Sequence, residues 1–113
     1  MKIPYKEFPK KVKPIRDNDT YSVHDLDFLK NMNVSMTILH PARETGGHSH
    51  EREEEVYVFL EGEGVMQLGN ERFDVKAGDI TLIPARSFHK VFNTGKKDLI
   101  FLCIFEKYAG RGK

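Results

Sequence analysis

Gly46-Gly47-His48-Ser49-His50-Glu51-Arg52-Glu53-Glu54-Glu55-Val56-Tyr57-Val58-Phe59-Leu60-Glu61-Gly62 is the stretch where the polar chemistry of this chain runs into its β-forming residues. Residues 56–60 are an unbroken run of Val, Tyr, Phe and Leu of strand length, closed by a glycine. The same texture repeats on either side: 34–39, 64–68, 71–75, 80–83, 90–92 and 99–105 are short and rich in Val, Ile, Phe, Thr or Tyr. Breaks fall at Pro41, Gly46-Gly47, Gly62, Gly69-Asn70, Ala77-Gly78-Asp79, Pro84 and Asn93-Thr94-Gly95. Gly69-Asn70 predicts a two-residue hairpin turn, because both residue types accept the positive φ such turns use. Residues 21–29 read as a short strand followed by a turn at Asn31-Met32-Asn33. Strands at this spacing, without sustained helical periodicity or an internal repeat, predict an all-β sandwich or small barrel.

The chain has 113 residues, the size of one domain, with 39% hydrophobic and 31% charged residues, which supports a packed core rather than a disordered chain. Lys and Arg total 18 against 17 Asp and Glu, so no field of one sign favours nucleic acid or an anionic membrane. The longest apolar run, 99–105, is far short of the roughly 20 residues a membrane helix needs, and the first residues lack a secretory signal. Cys103 is the single cysteine, which fits a reducing compartment. The expectation is a soluble, cytoplasmic protein. Pro4, Pro9 and Pro14, with Lys10, Lys11 and Lys13 between them, predict an extended arm over 1–20 with neither helix nor central strand, followed by a barrel over 21–113. Val56 to Leu60 and Ile100 to Phe105 are apolar on both faces, so the face turned away from the barrel interior needs cover, and a homodimer supplies it.

Five histidines make the composition unusual. In an extended chain His48 and His50 emerge on one side, about 7 Å apart at Cα, and two imidazoles so placed can converge on one ion. A glutamate from the acidic run adds an anionic oxygen, and His89 from a distant strand could close the set. Three neutral imidazoles and one carboxylate suit a divalent first-row metal such as Mn, Fe, Co, Ni, Cu or Zn, with further positions open to water or substrate. His24 and His40 have no matching partners and read as ordinary strand or loop histidines.

The spacing His48-x-His50-x4-Glu55-x6-Gly62, followed by Gly78-x5-Pro84-x4-His89-x3-Asn93, resembles the paired signature motifs of the cupin superfamily. The resemblance covers about residues 34 to 105 and implies a double-stranded β-helix of jelly-roll type. It makes His48, His50, Glu55 and His89 the metal ligands, with Glu54 the alternative carboxylate. Glu55 is preferred because Gly62 then falls in register and because Glu55, Tyr57 and Phe59 share one strand face. Asn93 reads as a local hydrogen-bonding residue. Ala42 and Arg86 stand where the motifs usually carry glycine; both positions are turns in which glycine supplies backbone freedom. Arg86 reads as a solvated turn residue, with contact to a substrate anion the alternative. The resemblance also turns Cys103 towards the cavity, against a plain reading of it as a small buried hydrophobe.

The superfamily includes dioxygenases, decarboxylases, isomerases and non-catalytic binding proteins, so the fold does not name the reaction. The expected activity is that of a metal-dependent enzyme, of oxygenase or lyase/isomerase type, acting on a small organic substrate. Its pocket would be lined by Tyr57, Phe59, Phe101 and Cys103, with Phe88 or Phe92 as further walls. The alternative is a non-catalytic small-molecule or sugar-binding protein whose metal anchors ligand or stabilises the barrel.

Overall fold

Strict alternation of buried and outward side chains runs along the two strands that build the centre of the protein. In the computed structural model, which describes residues 1–109 and 111, these are β4 (Glu55–Glu61) and β9 (Leu99–Glu106). Glu55, Tyr57 and Phe59 of β4 and Leu99, Phe101, Cys103 and Phe105 of β9 are buried, while the residues between them are half-buried on the other face. The remaining strands are β1 (Arg16–Asp17), β2 (Tyr21–Leu26), β3 (Met32–Leu39), β5 (Glu63–Leu68), β6 (Glu71–Lys76), β7 (Ile80–Ile83) and β8 (His89–Phe92). Residues 110, 112 and 113 of the expected barrel range lie outside the described residues.

The strands form two antiparallel sheets, β1-β2-β3-β9-β4-β7 and β6-β5-β8, as the double-stranded β-helix requires. Their inner faces share a core of Leu39, Tyr57, Phe59, Met66, Val75, Ile83, Val91, Leu99, Phe101, Cys103 and Phe105. Segment 43–48 runs antiparallel along β8 as an irregular edge: Glu44 pairs with Phe92, His48 pairs with His89, and the Thr45 amide donates to the Val91 carbonyl at 2.9 Å. Leu68 and Glu71 pair across Gly69-Asn70, with Gly69 at φ 60, so the two-residue hairpin forms where the sequence predicts it. The turn expected at Asn31-Met32-Asn33 does not. Met32 and Asn33 already belong to β3, where they pair with Glu106 and Phe105 of β9, and the reversal falls before them.

Gly62 sits at φ 87, and a Cβ there would lie 2.6 Å from the Asp98 carbonyl oxygen, so both conformation and space demand glycine. Ala42 and Arg86, the two residues at motif glycine positions, take φ 62 and 63. The turns therefore keep the left-handed conformation after losing the residue that adopts it most cheaply.

The N-terminal segment corrects the expectation of an unbroken extended arm. Tyr5–Glu7 forms a 3-10 turn that continues into one α-helical turn, Phe8–Lys11. Pro9 lies in the first turn, where its missing N–H costs nothing. Phe8 is buried, the Val12 carbonyl meets His24 Nδ1 at 3.4 Å, and the Tyr5 phenol reaches Glu61. This segment thus lies over part of the outward face of the larger sheet, between β2 and β4. Farther along that face the apolar rows Val34–Ile104–Val56–Leu82 and Leu102–Val58–Ile80 follow the strand register, and Ile80 and Leu82 are 64% and 69% exposed. Among the described residues no helix is long and apolar enough to cross a membrane.

Candidate metal centre

Backbone pairing explains why two histidines 41 positions apart in the chain meet. The His48 and His89 amides donate to each other's carbonyls at 3.2 and 2.9 Å, and their Nε2 atoms lie 3.0 Å apart. His50 is held next door, where its carbonyl accepts from the Arg86 amide at 2.6 Å. Glu55, the first residue of β4, enters from the opposite sheet. Its Oε1 lies 2.8 Å from His50 Nε2, 3.7 Å from His89 Nε2 and 4.0 Å from His48 Nε2. One ligand-type atom from each of the four residues lies within 4.8 Å of all the others. Glu54, just before β4, is exposed and contributes no atom to this cluster.

The donor set fits a divalent ion chemically as well as in number. His89 Nδ1 lies 3.0 Å from the Ser87 carbonyl oxygen, which can only accept, so Nδ1 carries the proton and Nε2 presents a lone pair. Burial, with His89 and His50 beside it and Arg111 further off, lowers the His48 pKa to about 4, so this ring is neutral at ordinary pH. Glu55 and His89 are buried and His48 is half exposed. The cluster therefore has a closed floor and an open side.

That open side faces a cavity of about 310 Å³. Tyr57, Phe101 and Cys103 line it, together with Thr37, Tyr21, Val23, His48, His50 and Glu55. Phe59 does not reach it: the ring is fully buried behind the cavity wall, 6.4 Å from Tyr57 and 5.2 Å from Phe101 between ring centres. Two residues further along β4 than Tyr57, it is carried past the cavity into the core. Phe88 is exposed, and Phe92 lies outside under the Arg72 guanidinium at 4.8 Å, so neither forms a wall. Arg86 is exposed at its turn. Burial, followed by the neighbouring Glu55, pushes the Cys103 thiol pKa well up, and burial followed by Cys103 does the same for the Tyr57 phenol. Both groups stay protonated.

His24 and His40 lie elsewhere, the first near Ser22 Oγ at 3.3 Å and the second 3.0 Å from Asp98 Oδ1. Asn93 donates to the Leu39 and Lys97 carbonyls, both at 2.8 Å, and accepts from the Gly95 amide, which is the local role read from its position. Among the cavity residues that the motifs do not predict are Ile15 and Arg16, before β2, and Tyr108 and Arg111, after β9. The Tyr108 ring packs 5.0 Å from His50 and 5.7 Å from Phe105. No motif marks these residues; for Tyr108 and Arg111 the one signal is an aromatic and an arginine following the final apolar strand.

Two facing antiparallel sheets around a cavity with a three-histidine, one-carboxylate cluster define a jelly-roll barrel with a potential metal site. A cupin-domain family model matches residues 35–105, well over half of the chain, and the chain belongs to the cupin family. It is 32% identical over 119 aligned positions to a glucose-6-phosphate isomerase of Pyrococcus abyssi, covering 94% of this chain and 62% of that one. It is 39% identical over 66 positions to an oxalate-binding protein of Thermotoga maritima, covering 58% and 54%. The chain thus spans less than two thirds of either relative. Among solved structures, a Klebsiella pneumoniae protein with a double-stranded β-helix domain superposes with a TM-score of 0.79 at 22% identity, covering 99% of this chain and 92% of that one.

Proposed function

We propose that this protein is a metal-dependent enzyme in which His48, His50, Glu55 and His89 hold one divalent first-row ion and a small organic substrate enters the adjoining cavity. The observation that carries this reading is the meeting of four ligand-type atoms within 4.8 Å at the edge of a cavity of about 310 Å³. An ion held there would supply Lewis acidity or, if redox-active, dioxygen chemistry, which fits oxygenase or lyase/isomerase reactions. The chain's own groups do the rest. The Tyr57 phenol and Cys103 thiol remain neutral donors beside the cluster. Phe101 and the Tyr108 ring give the substrate an apolar wall, and burial of Glu55 keeps water off the carboxylate.

Metal analysis of protein purified without added metal tests this directly. Near-stoichiometric first-row metal is expected in the wild type or after reconstitution, and is lost in His48→Ala and His89→Ala. Wild-type protein that cannot be loaded sinks the proposal.

A second reading, a non-catalytic ligand-binding protein, is favoured by the relative that bears the name of an oxalate-binding protein. Assays of oxygen consumption, decarboxylation and sugar isomerisation with each metal loaded separate the two. Turnover abolished by Glu55→Ala supports the enzyme, whereas ligand-induced thermal stabilisation without turnover supports the binder.

We further infer that the uncovered outward face of the larger sheet pairs with a second copy of the chain. The supporting pattern is the row from half-buried Val34, Ile104 and Val56 to exposed Leu82, which the N-terminal segment leaves open. A two-fold dimer buries one such patch against its twin.

A further inference from the structure

Arg111 follows the last strand, is needed by neither motif, and is anchored more tightly than a surface arginine. Its Nε donates to Asp25 Oδ2 at 3.2 Å, and its Nη2 donates to Asp25 Oδ1 and to Ser35 Oγ, both at 3.0 Å. Its guanidinium lies over the Phe105 ring, 4.8 Å from the centroid. A guanidinium carries five N–H donors in one plane, and these bonds use Nε and Nη2. The Nη1 donors lie at the end of the plane away from the Asp25 fork, and the Tyr108 phenol is a further hydrogen-bond partner of the guanidinium.

Arg111 and Tyr108 line both the cavity beside the histidine cluster and a neighbouring depression, whereas Asp25 lines only the depression, with Asp27 and Asn33. Arg111 thus stands in the wall between the two, and of the ion pair only the cation reaches the cavity. In the cavity lining Arg111 stands opposite Glu55 in sign, and a divalent ion at the cluster would add two positive charges. A concave site with an excess of positive charge and low-dielectric walls concentrates anions.

We infer that Arg111 is the specificity-determining residue of this cavity, receiving the oxyanion end of a small organic anion, a carboxylate or a phosphate ester, whose other end faces the histidine cluster. The inference rests on the metal-centre reading above and adds the charge class of the ligand to it. Asp25 and Ser35 act as positioning residues, since they fix the plane of the guanidinium without lining the cavity. Arg111 suits this role because its planar donors match a carboxylate or phosphate better than a lysine would.

Calorimetric titration of metal-loaded protein with malonate, glycerol phosphate and the uncharged malonamide tests the inference. Malonate or glycerol phosphate is expected to bind the wild type, malonamide not, and the better anion to bind Arg111→Gln at least 10-fold more weakly; which anion wins separates carboxylate from phosphate. A second readout needs no variant: the Arg111 Nε–H resonance of wild-type protein is expected to shift in step with anion saturation. Equal affinity in wild type and Arg111→Gln, binding of malonamide as tight as malonate, no binding of either anion, or an unmoved Arg111 resonance at saturation each overturns the inference. Metal content measured on the same samples keeps the two readings apart. Protein without metal defeats the metal centre, whereas metal-loaded protein that ignores the anions defeats the role of Arg111.

Discussion

Glu54 and Glu55 are neighbours in sequence, yet Glu55 is buried against the histidine nitrogens while Glu54, the residue before β4 begins, is exposed. Glu55→Gln is therefore expected to lower bound metal severely, while Glu54→Gln retains the wild-type content; elemental analysis of both, reconstituted side by side, checks it. Cys103 illustrates the opposite effect of burial. Its thiol stays protonated and enclosed, and the thiolate is the reactive form, so a thiol reagent at pH 8 is expected to label native protein far more slowly than denatured protein. Arg86 holds φ 63 at an exposed turn, and a left-handed L-residue costs about 1–2 kcal/mol. Arg86→Gly, which gives back part of this in unfolded-state entropy, is expected to stabilise by roughly 0.5–1 kcal/mol, read from denaturant midpoints. The ligand-type residues were legible because period-two alternation forces His48 with His50, and Glu55 with Tyr57, onto shared faces. Arg111 was not legible, since its place depends on Asp25 and Ser35, 86 and 76 positions away, and no local spacing encodes that.

At the scale of elements, strands read well and their ends less so. The apolar runs announce β4 and β9, but the extension of β3 to Met32 rests on pairing with Glu106, a partner invisible from residues 31–33. The short helix at Phe8–Lys11 escaped because proline spacing was read as forbidding helix, whereas proline is tolerated in a first turn. Gly62→Ala meets both a positive φ and the Asp98 carbonyl, and is expected to cost about 1–3 kcal/mol in chemical denaturation. The strap between β2 and the C-terminal segment gives a pH signature. Burial alone would raise the Asp25 pKa, but hydrogen bonds from Arg111 and Ser35 outweigh it and leave the carboxyl below its usual 3.8. A carboxyl lowered on folding adds stability that is present above the unfolded value and vanishes as pH falls through the folded one. Wild type is thus expected to melt above Asp25→Asn at pH 6, with the gap closing as the pH drops below about 4.

For the whole molecule, the double-stranded β-helix was readable from strand count and the paired motifs, because few folds bring His48, His50, Glu55 and His89 to one point. The state of the outward face was readable only in part. Residues apolar on both sides required cover, yet the contribution of the N-terminal segment through Phe8 and Tyr5 appears only in three dimensions. If a second copy covers the remainder, Leu82→Glu is expected to convert a species of twice the chain mass to one of single mass in light scattering, with metal content unchanged. A wild type that is monomeric at micromolar concentration removes the dimer.

The position of β9 between β3 and β4 bears on how the protein is made. Leu99–Glu106 pairs along the full length of β3 and most of β4, yet it leaves the ribosome after every other strand. Until it does, β3 and β4 each present an open edge, and the larger sheet has no middle. The sheet must then assemble only once β9 has been made, through contacts far apart in sequence, which is the slow route for a β-protein. During that interval the unpaired edges are the parts of the nascent chain most in need of protection from one another.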